Sequence, residues 1–351
     1  MTVIENDTFL KALRCEPVER TPIWLMRQAG RYLPEYRATR AQAGDFLSLC
    51  KNTPLATEVT LQPLERFDLD AAILFSDILT IPEALGLGLY FEAGEGPKFS
   101  KPLRDTASIR NLPKIDVVDE LGYVFDAVAS IHSALKNRVP LIGFTGSPWT
   151  LACYMIQGSG SRDFALVKKL MYSDPATMHH LLDHLADIIA DYLLAQIEAG
   201  ADVVQIFDTW GGLLSESNYA EFSLKPMQKI IQRVRAANAK ANTTPIIVFT
   251  KGSGSWMHLL KTAGADCIGL DWMTHLGRAR DTLGSEVAVQ GNLDPSILLS
   301  NEAAIDAQVN RILTENRNQP GHIFNLGHGI TPEVKPELVK FLVDKVHNTA
   351  I

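Results

Sequence analysis

Apolar residues fall into short runs separated by stretches of helical spacing, and this alternation continues along all 351 residues. The runs cover residues 22–26, 71–76, 140–144, 202–207, 245–249, 267–270, 286–290 and 322–325. They are rich in Val, Ile, Leu and Phe and are apolar on both faces. That pattern predicts strands of a parallel sheet covered on both sides. Between them, Asp174-Pro175 pairs a favoured N-cap with proline at the first helical position. Leu181, Leu182, Leu185, Ile188, Ile189, Tyr192 and Leu193 then recur at helical spacing until Gly200. A second helix is predicted from Ser147-Pro148 to Gly158, a third after Thr331-Pro332, and a fourth over residues 303–313. Eight strands alternating with helices predict an α/β fold. The expectation is a single (β/α)8 TIM-type barrel domain over residues 1–351, with extra N-terminal helices and loops around 41–65 and 83–120. An open doubly wound sheet is the alternative. No G-x-G-x-x-G follows the first strand, so its dinucleotide-binding form has little support.

Composition adds little, because 46% hydrophobic and 21% charged residues are ordinary for a globular chain. The net charge of −7 is more informative. It argues against a nucleic-acid partner, which needs a basic face, yet leaves room for a local basic pocket that takes one specific anion. The residues after Met1 lack a basic segment followed by an apolar run, and no run approaches the roughly 20 apolar residues of a membrane span. A cytoplasmic protein without a membrane partner is expected. Cys15, Cys50, Cys153 and Cys267 are scattered with no CxxC pair, as free thiols would be. His179, His180 and His184 share a helix, but no Glu follows His180 as a metalloprotease motif requires. They are expected at the surface, and no metal is expected.

In a barrel, chemistry collects just past the carboxyl ends of the strands. Those positions hold Arg27, Gln28, Gly30 and Arg31; Asp77; Thr145 to Pro148; Asp208, Thr209 and Trp210; Lys251 and Gly252; and Gly327-His328-Gly329. Arg27, Arg31, Arg37 and Arg40 crowd one segment, and a guanidinium grips a carboxylate through two parallel hydrogen bonds. Glu35 offers a local partner, so a solvated charge face is the plainer alternative. Gly30 would let the backbone approach a ligand closely. Asp77 closes an apolar strand, where partial desolvation raises a carboxyl group. It could act as a base, stabilise a cation, or simply cap a helix beginning at Ile78. His328, between two glycines before Thr331-Pro332, reads as a turn that presents backbone N–H groups to an anion at a helix start. Tyr154, one turn into the Ser147-Pro148 helix, reads by itself as a core aromatic. The Lys251-Gly252-Ser253-Gly254-Ser255 stretch has the wrong order for a phosphate loop.

Four segments together resemble the uroporphyrinogen decarboxylase family. They are Pro22-Ile23-Trp24-Leu25-Met26-Arg27-Gln28-Ala29-Gly30-Arg31, the stretch from Gly143-Phe144-Thr145-Gly146-Ser147-Pro148-Trp149 through Tyr154 to Gly158, Phe75-Ser76-Asp77-Ile78-Leu79, and Asn325-Leu326-Gly327-His328-Gly329. The resemblance runs nearly end to end. It implies one (β/α)8 barrel, usually a homodimer. It implies loss of the four acetate carboxyl groups of uroporphyrinogen III to give coproporphyrinogen III and carbon dioxide, in haem and tetrapyrrole synthesis, without cofactor or metal. It further implies that Arg27, Gln28, Ala29, Gly30, Arg31 and Arg40 bind substrate, and that Asp77 faces the pyrrole N–H groups. Tyr154, Thr209 and His328 then contact substrate. Arg27 is a candidate proton donor, although its very high pKa makes it a poor acid. A water held by the arginines or a substrate carboxylic acid are the alternatives. The competing functions are a zinc-dependent barrel methyltransferase and a non-catalytic tetrapyrrole binder.

Overall fold

A computed structural model describes residues 4–92 and 96–350. Its centre is a curled parallel sheet of seven strands, flanked by helices. In chain order the strands are β1 (Ala72–Ile73), the hairpin strands β2 (Leu89–Glu92) and β3 (Gly96–Phe99), then β4 (Leu141–Gly146), β5 (Val203–Asp208), β6 (Ile246–Thr250), β7 (Cys267–Gly269), β8 (Ala288–Gln290) and β9 (His322–Ile323). The sheet runs β1-β4-β5-β6-β7-β8-β9, while β2 and β3 pair antiparallel outside it. Strands β4, β5 and β6 are buried along their whole length, as expected for sheet faces covered by helices and core.

The predicted first strand, 22–26, forms only an isolated bridge, Ile23 with Phe324. Its hydrogen bonds are few because Asp70 takes part of its backbone: Ile23 N–H donates to the Asp70 carboxylate at 2.7 Å, and Asp70 N–H donates to Ile23 O at 2.9 Å. On the other side Phe324 N–H donates to Pro22 O at 2.8 Å. The predicted strand 71–76 shrinks to β1, since the chain turns away after Leu74 toward Asp77. The core beside the sheet is partly polar. Trp24 Nε1 donates to Gln290 Oε1 at 2.8 Å, and Gln290 Nε2 reaches Gln205 Oε1 at 3.3 Å.

The helices follow the local signals closely. Ser147 accepts from Thr150 N–H ahead of helix Pro148–Gln157, which stops at left-handed Gly158. Asp174 accepts from Thr177 N–H ahead of Pro175–Ala199, and Gly200 ends it. The predicted 303–313 helix spans Glu302–Glu315. One helix is displaced. Thr331-Pro332 lies in a turn, and the helix begins at Pro336, with Lys335 as N-cap. Both sites have proline available for a first helical turn, so the proline signal alone did not choose between them. The N-terminal additions are the helices Pro34–Ala43, Phe46–Cys50 and Thr53–Arg66. The 83–120 stretch holds the expected loops and the short helix Thr106–Arg110, and adds the antiparallel strands β2 and β3, which were not expected.

Asp70 joins these parts at the amino ends of the strands. It is fully buried, and besides Ile23 N–H it accepts from Asn6 Nδ2 at 2.8 Å and Arg20 Nη2 at 3.0 Å, with His347 Nε2 at 2.7 Å. Burial pushes its carboxyl up, but His347, Asn6 and the Ile23 N–H outweigh that and hold it below the usual range. A depressed folded value means that the stabilisation is present above the unfolded value, near 4, and disappears as pH falls through the folded one. Asp70→Asn is expected to cost about 2 kcal/mol, because a charged acceptor shared by several donors is lost and Arg20, a third exposed, is partly rehydrated. Denaturant unfolding at pH 7 should show this loss, and the gap between the two proteins should close toward pH 3.

Candidate active site

The arginine turn follows Met26, whose N–H is fixed by Asn325 Oδ1 at 2.9 Å. Arg27 then adopts φ +65°, the left-handed region that a non-glycine residue seldom occupies. Such strain, typically about 1–3 kcal/mol, persists where surrounding structure imposes it. Gln28 imposes part of it. Its side chain is buried, with Oε1 accepting from Leu25 N–H at 3.1 Å and Nε2 donating to Ala71 O at 3.1 Å. Both ends of Gln28 therefore hold the turn, and its backbone is engaged too, with N–H donating to Leu25 O at 2.8 Å and O accepting from Tyr32 Oη at 2.9 Å, so Gln28 shapes the turn instead of offering a group to a ligand. Ala29 and Gly30 are half-buried. A Cβ on Gly30 would lie 2.9 Å from Arg27 O, so glycine here serves the tightness of the turn itself.

Glu35 does not neutralise the cluster. It is held by Arg66 of the neighbouring helix through bonds of 2.7 and 3.0 Å. Arg37 turns outward and donates to Arg31 O. Among the described residues, Arg27, Arg31 and Arg40 have no carboxylate partner, with Arg27 and Arg31 exposed and Arg40 half-buried.

Asp77 lies close enough to Arg27 to feel its charge. Its Oδ1 accepts from Leu79 N–H at 2.8 Å, so it caps the turn before helix Thr80–Ala84, and among the described residues Oδ2 has no protein donor. Burial raises the Asp77 carboxyl above the ordinary range, against the opposing pull of Leu79 N–H and the Arg27 guanidinium. His328 completes this side. Burial pushes its imidazole down to about 4, and Arg27 and Lys251 add to the effect, so it is neutral at physiological pH. The turn around it is not a helix start, because the next helix begins at Pro336. Its glycines serve close packing. A Cβ on Gly327 would lie 2.3 Å from Trp272 N, and one on Gly329 would lie 2.3 Å from Arg27 Cδ. The Gly329 backbone lies outside the left-handed region. Gly329→Ala is therefore expected to keep the fold, displace the Arg27 side chain and raise KM by about tenfold, the worth of one weakened charge-assisted bond. Steady-state kinetics beside circular dichroism check this.

The far wall is built on Asp208. It is fully buried, and accepts from Ser147 Oγ at 2.6 Å, Thr150 Oγ1 at 3.2 Å, Ser223 Oγ at 2.8 Å and Thr250 Oγ1 at 3.1 Å. Burial raises its carboxyl despite these four donors. Thr150 Oγ1 also accepts from Trp210 N–H at 3.2 Å, and Trp149 Nε1 donates to Trp210 O at 3.1 Å. The hub thereby sets the loop that carries Thr209, which is half-buried and makes no side-chain hydrogen bond among the described residues. Tyr154 meets Trp210 and Phe164 edge-on, each at 6.1 Å between centroids, and burial lifts its phenol to about 12. A wall of rings runs from Phe144 through Phe207 and Phe249 to His328, with centroids 5.7, 6.1 and 6.4 Å apart.

The structure thus gathers Arg27, Asp77, Tyr154 and His328 at the carboxyl ends of the strands, with Thr209 beside Tyr154's aromatic neighbour. Arg31 and Arg40 lie near Tyr36, whose ring meets that of Phe75, two residues before Asp77, at 5.7 Å between centroids. His180 is exposed, while His179 stacks on Phe222 and His184 meets Pro113 O, both half-buried. Among the described residues no three His, Cys, Asp or Glu side chains converge as a metal set, all four cysteines are free, and no helix is long and apolar enough to cross a membrane. As sequence, Trp272 carries no functional signal, and Asp208 is a strand-end candidate without its hydroxyl partners. Trp272 follows an ordinary apolar run, and four scattered hydroxyls give no pattern in one dimension.

Fold and site define a parallel α/β protein with arginines free of carboxylate partners, among the described residues, near the carboxyl ends of its strands. The uroporphyrinogen decarboxylase family model, URO-D, matches residues 4–349, and the chain belongs to that family. It is 57% identical over 350 residues to the uroporphyrinogen decarboxylase of Acinetobacter baumannii strain AYE, covering 99% of this chain and 98% of the relative. It is likewise 57% identical over 347 residues to that of Neisseria meningitidis strain FAM18, with 99% and 98% covered. Among solved structures, a methyltransferase from Methanosarcina mazei aligns with a TM-score of 0.81 over 98% of each chain at 19% identity, a likeness of fold alone.

Proposed function

We propose that the protein removes the four acetate carboxyl groups of uroporphyrinogen III, giving coproporphyrinogen III and carbon dioxide in tetrapyrrole synthesis. The observation that carries this is the pairing of unneutralised arginines with a half-buried aspartate that keeps one oxygen free. The substrate bears eight carboxylates around a ring whose centre is lined by N–H donors. Arg27, Arg31 and Arg40 suit its edge, the free Oδ2 of Asp77 suits its centre, and the aromatic wall suits its faces. Gln28 shapes the turn from which Ala29 and Gly30 contribute backbone N–H groups, while Tyr154, Thr209 and His328 offer a phenol, a hydroxyl and a neutral imidazole to the periphery.

The chemistry needs an electron sink. A proton added to the ring carbon beside the acetate-bearing carbon turns the pyrrole into an iminium-like cation. The bond to the carboxylate breaks, carbon dioxide leaves, and the electron pair neutralises the ring. A proton taken up by the exocyclic methylene, with loss of the proton first added, restores the pyrrole and leaves a methyl group. Asp77 stabilises the cation by its charge, worth about 3–4 kcal/mol for a well-placed group. Arg27, with its planar fork of N–H donors, orients the proton source and the departing carboxylate.

The same reading takes the fold as one closed (β/α)8 barrel over the whole chain, with residues 22–26 as the eighth staff. The bonds of Ile23 and Pro22 to Asp70 on one side and Phe324 on the other support it. It also takes the protein as a cytoplasmic homodimer, which sedentation at the monomer mass would contradict. Anaerobic incubation with uroporphyrinogen III, followed by oxidation and separation of porphyrins by carboxyl number, tests the function. Four-carboxyl product is expected. Tight binding with no carbon dioxide would make the protein a carrier.

A further inference from the structure

Lys251 follows β6 directly and is unused by the mechanism above. Its backbone is locked on both sides. Its own N–H donates to Asp208 O at 3.4 Å, and Gly252 N–H donates to the Asp271 carboxylate. Gly212 packs so closely that a Cβ there would lie 2.1 Å from Lys251 O. The ammonium sits between two indoles, 6.0 Å from the Trp210 centroid and 5.4 Å from that of Trp272. Ring faces attract a cation but leave its three N–H donors without acceptors. Among the described residues Lys251 has no carboxylate partner. The two acids that touch its loop are already taken, Asp208 by four hydroxyls and Asp271 by Gly252 N–H, Met273 N–H and Thr274 Oγ1.

Its position completes the rim. Trp272 meets His328 edge-on at 6.4 Å, and His328 feels both Lys251 and Arg27. On the other side Trp210 meets Tyr154. Counted through hydrogen-bonded neighbours, β6 stands four steps from the 22–24 segment in either direction, so Lys251 faces the arginine turn across the cleft. Two cations flanking a neutral imidazole, with no protein anion between them, call for anionic groups on the ligand.

We propose that Lys251, held between Trp210 and Trp272, is a second carboxylate-binding post for the tetrapyrrole, opposite the arginine turn, and that it fixes which acetate lies at Asp77. This rests on the function proposed above. A ring carrying carboxylates on every side could pivot about a clamp on one edge. A second post across the cleft stops the pivot, so it governs affinity and the order of acetate loss rather than the bond-breaking step.

The test compares wild type with Lys251→Met, which keeps length without charge, and Lys251→Arg, which restores charge. The readouts are KM, kcat and the isomers of the seven-carboxyl intermediate. Lys251→Met should raise KM about tenfold, leave kcat within about threefold and scramble the isomers, with Lys251→Arg largely restoring both KM and pattern. Wild-type KM and isomer pattern in Lys251→Met would overturn the proposal. So would equal impairment of both variants with lowered Tm, which would mark a structural residue. If wild type itself released no carbon dioxide, the function would fall, a result separable from failure of the Lys251 role alone.

Discussion

Asp77→Asn should lower kcat by about a thousandfold while Tm stays level or rises. The amide keeps the shape of the side chain, and its oxygen can still accept from Leu79 N–H, so the turn before helix Thr80–Ala84 survives. What disappears is the charge that opposes the developing ring cation. Stability should move the other way because burial raises the carboxyl of Asp77. A group whose folded pKa lies above its unfolded value favours the protonated state on folding. Its ionised form is a cost at neutral pH that vanishes below the unfolded value. The Tm advantage of the Asn variant should therefore be greatest near pH 7 and fade toward pH 4. Carbon dioxide release and thermal melts at the two pH values measure both effects. Near-normal turnover would remove Asp77 from the chemistry, and a large fall in Tm would make it a residue of the fold.

Arg27→Gly should reduce kcat/KM by about a hundredfold or more without loss of stability. The guanidinium offers the planar fork that matches a carboxylate, and a charge-assisted pair of this kind is worth about 1.5–3 kcal/mol. Further loss comes from disorder in the orientation of the reacting group. Glycine, in contrast, suits the φ of +65° that Arg27 adopts under strain. Relief of that strain offsets the greater freedom of glycine in the unfolded chain. A native-like Tm with crippled kcat/KM is the expected pair of results. Retained kcat/KM would take Arg27 out of the clamp.

Much of the fold was legible because strand cores and helix caps are local. The apolar runs at 202–207 and 245–249 became β5 and β6 nearly residue for residue, and Ser147 and Asp174 cap the helices they were expected to cap. Failures came where long-range partners decide. The 22–26 run is apolar enough for a strand, but the Asp70 carboxylate takes the Ile23 N–H that a ladder would use. Thr331-Pro332 carries a helix signal that a later proline, Pro336, takes over. In the site, Arg27 and Asp77 stood out because a charged residue after an apolar run is conspicuous. Gln28 looked like a ligand group, yet its side chain is fully engaged by the turn and Ala71 O. The glycines around His328 suggested an anion nest, but their contacts are with Trp272 and Arg27. The indole pair around Lys251 joins residues more than 60 positions apart through the sheet, which no spacing rule detects.

In the proposed function the roles are divided: the cationic residues hold the substrate, and Asp77 acts only as the ring becomes charged. The affinity of the Asp77→Asn protein for uroporphyrinogen III, measured anaerobically by fluorescence titration, tests that division most directly. The division predicts a Kd equal to or tighter than that of the wild-type protein, because a carboxylate has been removed from beside an octa-anion. A Kd weakened about tenfold or more would contradict it, and would make Asp77 a group that binds the ground state.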